Sequence, residues 1–255
     1  MRIELFDVQA GFGAAAPAKG PDYALSEVAP DEWAREMHRL DIARALVRLV
    51  PDDLVGDVPA ANEALYDACD RGAGLVPCPI LVPNGGGDLP AEEEQVDAAV
   101  AEGAGAAFLR PQADYWSLAE WASHGLFAAL EARRLPAFCL TARFTFDELA
   151  GLAPRYPGLP FILAGLQYRS DRTLIPFLKA FPNVHVSIGS NYTVHDGIER
   201  LVAEVGAGRV LFGTGFPEAE PMAAITQLAY ARLDDDVKRQ IGAGNLERLI
   251  GAIQR

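Results

Sequence analysis

Residues 135–164 read LPAFCLTARFTFDELAGLAPRYPGLPFILA, and the two ends of this stretch carry the same signal. Ala137–Thr141 and Phe161–Ala164 are short, continuous apolar runs, the pattern of parallel strands covered on both faces. Between them, Thr145-x-x-Glu148 has capping-box spacing, in which hydroxyl and carboxylate satisfy the free amides of a helix start. Strand, helix and strand within about 30 residues make one crossover unit.

The same unit recurs in both directions. Further strand-like runs are Ile3–Val8, Ala45–Val50, Leu75–Val82, Ala106–Leu109, Val184–Ile188 and Val210–Thr214. Helical stretches fall between them. Asp31 opens one through Leu40, Ala60–Gly72 ends on a glycine, and Pro90–Gly103 starts with Glu92, Glu93 and Glu94. Ser117-x-x-Glu120 repeats the capping-box spacing, and Ser170 and Thr193 are further N-cap candidates. After the last strand come helices near Pro221–Leu233 and Asp234–Gly242, and one from Asn245 onward. Eight strands, each followed by a helix, in 255 residues give the arithmetic of an α/β (β/α)₈ TIM barrel. A doubly wound open sheet uses fewer strands and often a Gly-rich first turn. Here the first strand runs into Gln9–Gly13 and a long loop, so the barrel is preferred. No linker or repeat divides the chain, and a single domain over residues 1–255 is expected, with extra C-terminal helices at about 234–255. The loops 9–30, Pro83–Asp88 and Pro111–Tyr115 leave strand C-terminal ends, the face where such barrels place their sites.

Composition narrows the partners. Half the residues are hydrophobic and the net charge is −13, which argues against nucleic acid or an anionic membrane, since phosphate binding needs clustered Lys and Arg. Cys69, Cys78 and Cys139 are too few for a disulfide framework and fit a reducing compartment. The start Met1–Asp7 lacks the basic and apolar regions of a signal peptide, and no window supplies about 18 apolar residues for a membrane span. A soluble, cytoplasmic protein is expected, with homo-oligomerisation left open.

Several segments match one family pattern in order. Arg209–Pro217 (RVLFGTGFP) resembles the "R-V-L-F-G-S/T-D-x-P" signature of amidohydrolase-related metal-dependent hydrolases, a group that includes aromatic-acid decarboxylases and lactonases. Gly244–Leu249 (GNLERL) resembles its closing "G-N-A-x-R-L", and Pro182–Ser187 (PNVHVS) its "P-N-V-Y-V-D/E". Leu135–Thr141 is similar to "L-P-V-x-I-H-T", Phe161–Leu166 to "x-V-L-x-H-L", and Phe6–Gly13 to "x-D-x-H-x-H-x-G". The resemblance covers nearly the whole chain. It implies a divalent metal at the barrel mouth, held by paired histidines after the first strand, mid-barrel histidines and an aspartate after the last strand. Neutral imidazoles and a carboxylate bind such an ion, which acidifies water or polarises a carbonyl.

At each ligand position this sequence has another residue. Gln9 and Gly11 stand for the first two histidines, Leu140 and Gly165 for the middle ones, and Gly215 for the aspartate. Leu and Gly side chains coordinate nothing, and a lone carboxamide is a weak zinc ligand. No metal and no cofactor is expected. His38, His124, His185 and His195 read as packed or solvated residues; no His-x-His, His-x-x-x-His or Cys-x-x-Cys spacing occurs. Gly-x-Ser-x-Gly is absent, Cys139 reads as a buried structural thiol, and Gly85-Gly86-Gly87 as a flexible loop.

Polar residues at strand ends remain: Gln9, Arg110, Thr141, Arg143, Gln167, Tyr168, Arg169, Ser190, Asn191, Tyr192 and Thr214. In a barrel these ends converge. The candidate ligand pocket is Gln9, Arg110, Thr141, Arg143, Gln167, Arg169, Asn191 and Thr214. Its arginines would favour a carboxylate or phosphate through their planar fork, Arg110 foremost. The expected function is a metal-free relative that binds a small molecule, with an anion as one option, or acts as a non-hydrolytic regulatory homologue. The alternatives are an active hydrolase or decarboxylase using Asp88, Asp114 or Glu218 as substitute ligands, and a structural subunit. Tight apolar packing at the mouth would favour the scaffold and a polar cavity the ligand.

Overall fold

A computed structural model describes residues 3–14, 27–50 and 56–255. Among the described residues eight parallel strands, with helices between them, build an α/β barrel: β1 (Leu5–Ala14), β3 (Ile42–Leu49), β4 (Leu75–Pro77), β5 (Ala107–Phe108), β6 (Ala137–Leu140), β7 (Phe161–Ala164), β8 (Val184–Ile188) and β9 (Val210–Phe212). The short β2 (Glu27–Val28) pairs antiparallel with the end of β1, Gly13 opposite Val28. The helices are α1 (Pro30–Arg39), α2 (Val58–Arg71), α3 (Glu92–Ala101), α4 (Glu120–Arg133), α5 (Phe146–Leu152), α6 (Asp171–Ala180), α7 (Gly197–Val205), α8 (Pro221–Tyr230), α9 (Asp235–Arg239) and α10 (Asn245–Gly251), with a π-helical turn at Gln240–Gly244 between the last two.

The strands form two sheets, β2-β1-β3-β4 and β5-β6-β7-β8-β9, which meet at two seams rather than in one continuous ladder. At the first, Phe108 N–H donates to Pro79 C=O at 2.8 Å and Gly105 N–H to Pro77 C=O at 3.0 Å. The expected strand Leu75–Val82 stops at Pro77 because Pro77 and Pro79 have no N–H to give a ladder; only Ile80 resumes a bridge, to Phe108. At the second seam, Gly215 N–H donates to Gln9 C=O at 2.8 Å and Gly11 N–H to Phe216 C=O at 2.9 Å.

Alternation along the strands sorts side chains into two layers. Phe6, Val8, Leu46, Phe108, Phe138, Leu140, Ile162, Ala164 and Leu211 fill the barrel, and Ala243, Leu246 and Leu249 close its floor. Ala137, Cys139, Phe161, Leu163, Val184 and Val186 point the other way, into the layer shared with the helices. Cys78 and Cys139 are buried free thiols, and burial pushes the pKa of each well up.

Local signals held at some ends and failed at others. Thr145 and Glu148 make the full reciprocal capping box, and Gly72 caps α2. Gly103, at φ +81, ends α3 in a Schellman turn, with Gly103 N–H on Val100 C=O and Ala104 N–H on Ala99 C=O. Ser117 does not cap α4: its hydroxyl accepts from the N–H of Ala119, the residue immediately before the helix. Ser170 holds the N-cap place of α6, but its hydroxyl accepts from Gln167 N–H. Thr193 lies three residues ahead of Asp196, the residue that precedes α7. The expected loop from residue 9 begins later, since β1 runs to Ala14; residues 15–26 of that loop lie outside the described residues. Among the described residues no helix is long and apolar enough to cross a membrane.

Candidate functional site

A cavity of about 250 Å³ opens at the C-terminal ends of β6, β7, β8 and β9, beside the middle of β1. It is lined by Gln9, Thr141, Gln167, Asn191 and Thr214 together with Ser190 and Glu218. Leu140, Gly165 and Gly215 lie on the same wall. Five of the eight candidate pocket residues thus share one space, and so do four of the five positions at which the family pattern would place a ligand.

Gln9 reaches the cavity from within an irregularity of β1 between Asp7 and Ala10. Its Oε1 accepts from Gly165 N–H at 3.3 Å and, at 3.5 Å, from the Ser187 hydroxyl. Because Gly165 N–H can only donate, Oε1 must face it and Nε2 must face away, toward Gly215. A Cβ at Gly215 would lie 3.5 Å from Gln9 Nε2, and one at Gly189 would lie 3.3 Å from Oε1. Gly165 and Gly215 both have φ +78, a left-handed backbone that glycine adopts without steric cost. They turn the chain at the strand ends and leave the carboxamide room. Gly11 is different. It does not line the cavity, and a Cβ there would come within 2.9 Å of Val50 Cγ1 and 3.0 Å of Arg48 C=O.

Beneath Gln9 lies Asp7, fully buried. Its Oδ1 accepts from the N–H groups of Gln9 and Thr214, both at 2.9 Å, and its Oδ2 from the Thr214 hydroxyl. Burial raises the Asp7 pKa above the usual carboxylate value, and the Thr214 and Gln9 hydrogen bonds oppose that rise. Thr141 Oγ1 donates to Gly165 C=O at 2.6 Å, and Ser190 Oγ to Glu220 C=O at 2.7 Å.

The three arginines expected in the pocket do not line it. Arg110 is completely buried, and its guanidinium grips Asp114 through Nε (3.0 Å to Oδ2) and Nη2. The acid four residues on, at helical spacing, captures the fork that was to hold a ligand. Arg143 sits in the turn after β6, its N–H on Leu140 C=O at 2.8 Å. Arg169 is exposed, with its guanidinium 5.0 Å from the Tyr168 ring centre. Tyr192 is buried and donates to Asp171 Oδ1 at 2.7 Å; burial pushes its pKa up to about 12. The candidate substitute carboxylates are also apart. Glu218 lines the mouth cavity, whereas Asp88 and Asp114 line an outer groove with Asn84, Trp116 and Trp121.

One charged residue escaped the strand-end reading. Arg48, near the end of β3, is 3% exposed, and its Nη2 pairs with Glu218. Its Nε and Nη1 are buried with no partner, and its guanidinium lies 5.2 Å from the Phe108 ring centre. The only available signal was position: Leu46 and Arg48 share the inward face by alternation.

The mouth therefore offers carboxamides, hydroxyls and one carboxylate already paired to a cation. Among the described residues no three His, Cys, Asp or Glu side chains come together as a metal site, and a lining of Leu, Gly and a Gln whose oxygen is engaged does not fit the divalent ion implied by the resemblance. Of the histidines, His38 and His195 are exposed, His124 Nδ1 meets the Tyr156 hydroxyl at 3.1 Å, and His185 is buried at the opposite end of the barrel.

Comparison with solved structures gives the same fold over the full length. The chain is similar to 2,6-dihydroxybenzoate decarboxylase from Rhizobium, with TM-score 0.75 and 16% identity, covering 98% of this chain and 99% of that one. It is similar to 5-carboxyvanillate decarboxylase from Sphingomonas paucimobilis (TM-score 0.70, 14% identity, 98% and 99% covered). An uncharacterised TIM-barrel protein from Bordetella bronchiseptica gives TM-score 0.73 at 15% identity, with each chain covered in full. No curated protein matches. The family model described as amidohydrolase matches residues 15–252, a span that begins after β1, so the alignment of Phe6–Gly13 with the N-terminal histidine motif rests on its place in the barrel. With that match over nearly its whole length, the chain belongs to the amidohydrolase family.

Proposed function

We propose that this chain is a non-hydrolytic amidohydrolase-family barrel that binds a small polar molecule at its mouth through its own hydrogen-bonding groups, without the family's metal. The observation that carries the reading is Gln9: its oxygen is committed to Gly165 and its Nε2 is left as a donor beside a cavity walled by Leu140, Gly165 and Gly215. A cavity of about 250 Å³ is below the usual range for drug-sized ligands, roughly 300–1,000 Å³, and suits a molecule about the size of one ring. A polar lining favours a ligand over a purely structural subunit, because unoccupied polar groups there gain nothing for packing. An anionic ligand finds no guanidinium on the wall. It has only the Arg48 cation behind Glu218, so an acceptor-bearing, neutral or singly charged molecule is the better match.

The test combines elemental analysis with ligand screening. Protein grown with supplementary zinc and manganese is expected to carry neither near stoichiometry. A panel of small polar molecules is screened for chemical-shift changes at the Gln9 side-chain amide and at the Asn191 and Gly215 backbone amides, and the hits are repeated on Gln9→Leu with the two backbone probes. Saturable shifts lost in the folded variant support the reading. Near-stoichiometric metal, or metal-dependent turnover of aromatic acids abolished by Glu218→Gln, overturns it in favour of a decarboxylase or hydrolase with substitute ligands. Failure of every panel member to bind overturns it in favour of a structural role.

A further inference from the structure

A second pocket, of about 440 Å³, lies at the other end of the barrel, between the turns that lead into β7 and β8 and helix α10. Its lining includes Arg134, Asn183, His185 and Arg248 and no carboxylate, in a chain whose net charge is −13.

Each polar group there has a definite state. Asn183 is a structural fastener: its Nδ2 donates to Ala153, Tyr156 and Leu159 carbonyls at 3.0, 3.0 and 3.1 Å, and so holds the turn that forms one wall. His185 is 7% exposed, and its Nδ1 is buried without a partner. Arg248 spends one nitrogen on Gly208 C=O at 2.7 Å, and the rest of its fork is unclaimed among the described residues. Arg209 stands behind, its Nη1 on Leu178 and Phe181 carbonyls. Glu131 accepts from the N–H of Gly158, a lining residue, at 2.7 Å.

Arg134 supplies an independent observation. It ends α4 in a Schellman turn, with its N–H on Glu131 C=O and Leu135 N–H on Leu130 C=O, at φ +52. That left-handed position favours glycine or asparagine. An arginine there is strained, and its side chain makes no hydrogen bond or ion pair among the described residues, yet it lines the pocket.

We propose that this pocket binds the phosphate group of a small phosphate monoester, with Arg134 and Arg248 as two cationic arms from different elements and the His185 ring beneath. Two guanidinium forks match phosphate oxygens bidentately. A phosphate monoester presents three acceptor oxygens to the two forks, where a carboxylate presents two. The space exceeds a bare phosphate ion and admits the organic part of the ester. The site is on the opposite face from the mouth and stands independently of what binds there.

The full chain is titrated with inorganic phosphate, glycerol 3-phosphate and succinate, while the imidazole nitrogens of His185 and the amide of Gln9 are followed by NMR. Glycerol 3-phosphate is expected to shift His185 saturably and to leave Gln9 unmoved, with succinate weaker by about tenfold or more. Arg134→Gly, which suits the left-handed backbone and so keeps the fold, is expected to weaken binding by about tenfold. Arg248→Gln is expected to do the same. No saturable His185 shift, shifts confined to Gln9, equal binding of succinate, or unchanged affinity in Arg134→Gly each overturn the proposal.

Discussion

Arg48 and Glu218 are partners with unequal surroundings, and that inequality gives opposite predictions for the two. The Arg48 side chain is 4% exposed and that of Glu218 is 46% exposed. Nε and Nη1 of Arg48 have no acceptor, so the guanidinium carries a desolvation cost that a single ion pair offsets in part. Removing the partner of a buried charge typically costs about 3–5 kcal/mol, but Glu218 is half in water, and the loss must be discounted for solvent screening. About 1–3 kcal/mol is left for Glu218→Ala. At roughly 2–4 °C per kcal/mol for a chain of this size, the melting temperature falls by several degrees.

Arg48→Met removes the charge along with its unmet hydrogen bonds and keeps an apolar stem against Phe108. Replacing buried ions by apolar residues of similar volume is often neutral or stabilising, and the lost contact with the Phe108 ring is worth about 0.5–2 kcal/mol. The change is expected to stay within about 1 kcal/mol of the parent. The double variant should resemble Arg48→Met alone, because Glu218 then has no cation to leave behind. Urea unfolding of all four proteins measures the cycle. If Arg48→Met is as damaging as Glu218→Ala, the guanidinium is a net stabiliser and the reasoning fails.

Three further outcomes follow from single side chains. Asn245 is 1% exposed and donates to Ala207 and Val210 carbonyls at 2.7 and 2.8 Å; Asn245→Leu strands both and is expected to cost about 2–5 kcal/mol in urea unfolding, with a loss under 1 kcal/mol counting against the assigned role. Thr145→Ala removes the α5 capping box and should cost about 1 kcal/mol, read as a small drop in melting temperature with unchanged circular dichroism. Burial, followed by the Arg248 and Arg209 cations, lowers the His185 pKa to about 4. Its folded value lies below its unfolded value of about 6.5, so between the two the unfolded chain binds more protons, and stability falls as pH drops through that window. Without phosphate, His185→Leu should flatten this part of the pH–stability curve; an unchanged slope would contradict it.

The barrel was legible because its strands are covered on both faces, and continuous apolar runs such as Phe161–Ala164 and Val184–Ile188 match the observed strands residue for residue. Boundaries failed where a local rule competed with pattern. Proline cut β4 short at Pro77 while the apolar run continued to Val82. Glycines at 11 and 13 suggested a loop, but β1 passes through them beside β3, where Gly11 leaves no room for a side chain. The mouth was half legible. Strand order places Gln9, Thr141, Gln167, Asn191 and Thr214 around one cavity. Sequence position cannot say where a long side chain folds, so Arg110 was assigned to the mouth although Asp114 holds it, and Arg48 was passed over although alternation turns it inward.

The segments that carry the family resemblance explain why fold and chemistry separate in this chain. Arg209 of RVLFGTGFP donates to Leu178 and Phe181 carbonyls, Asn183 of PNVHVS to Ala153, Tyr156 and Leu159, and Asn245 of GNLERL to Ala207 and Val210. All three spend their donors on backbone carbonyls at the end of the barrel opposite the mouth. A carbonyl turned inward in a loop must be satisfied whatever the barrel does, so these residues answer to folding alone. At the mouth the side chain of Leu140 satisfies no backbone group, Gly165 and Gly215 supply left-handed turns, and of the four only the Gln9 side chain answers a backbone group, the Gly165 N–H. A match to this family is therefore strongest where it says least about activity, and the function has to be argued from the mouth cavity itself.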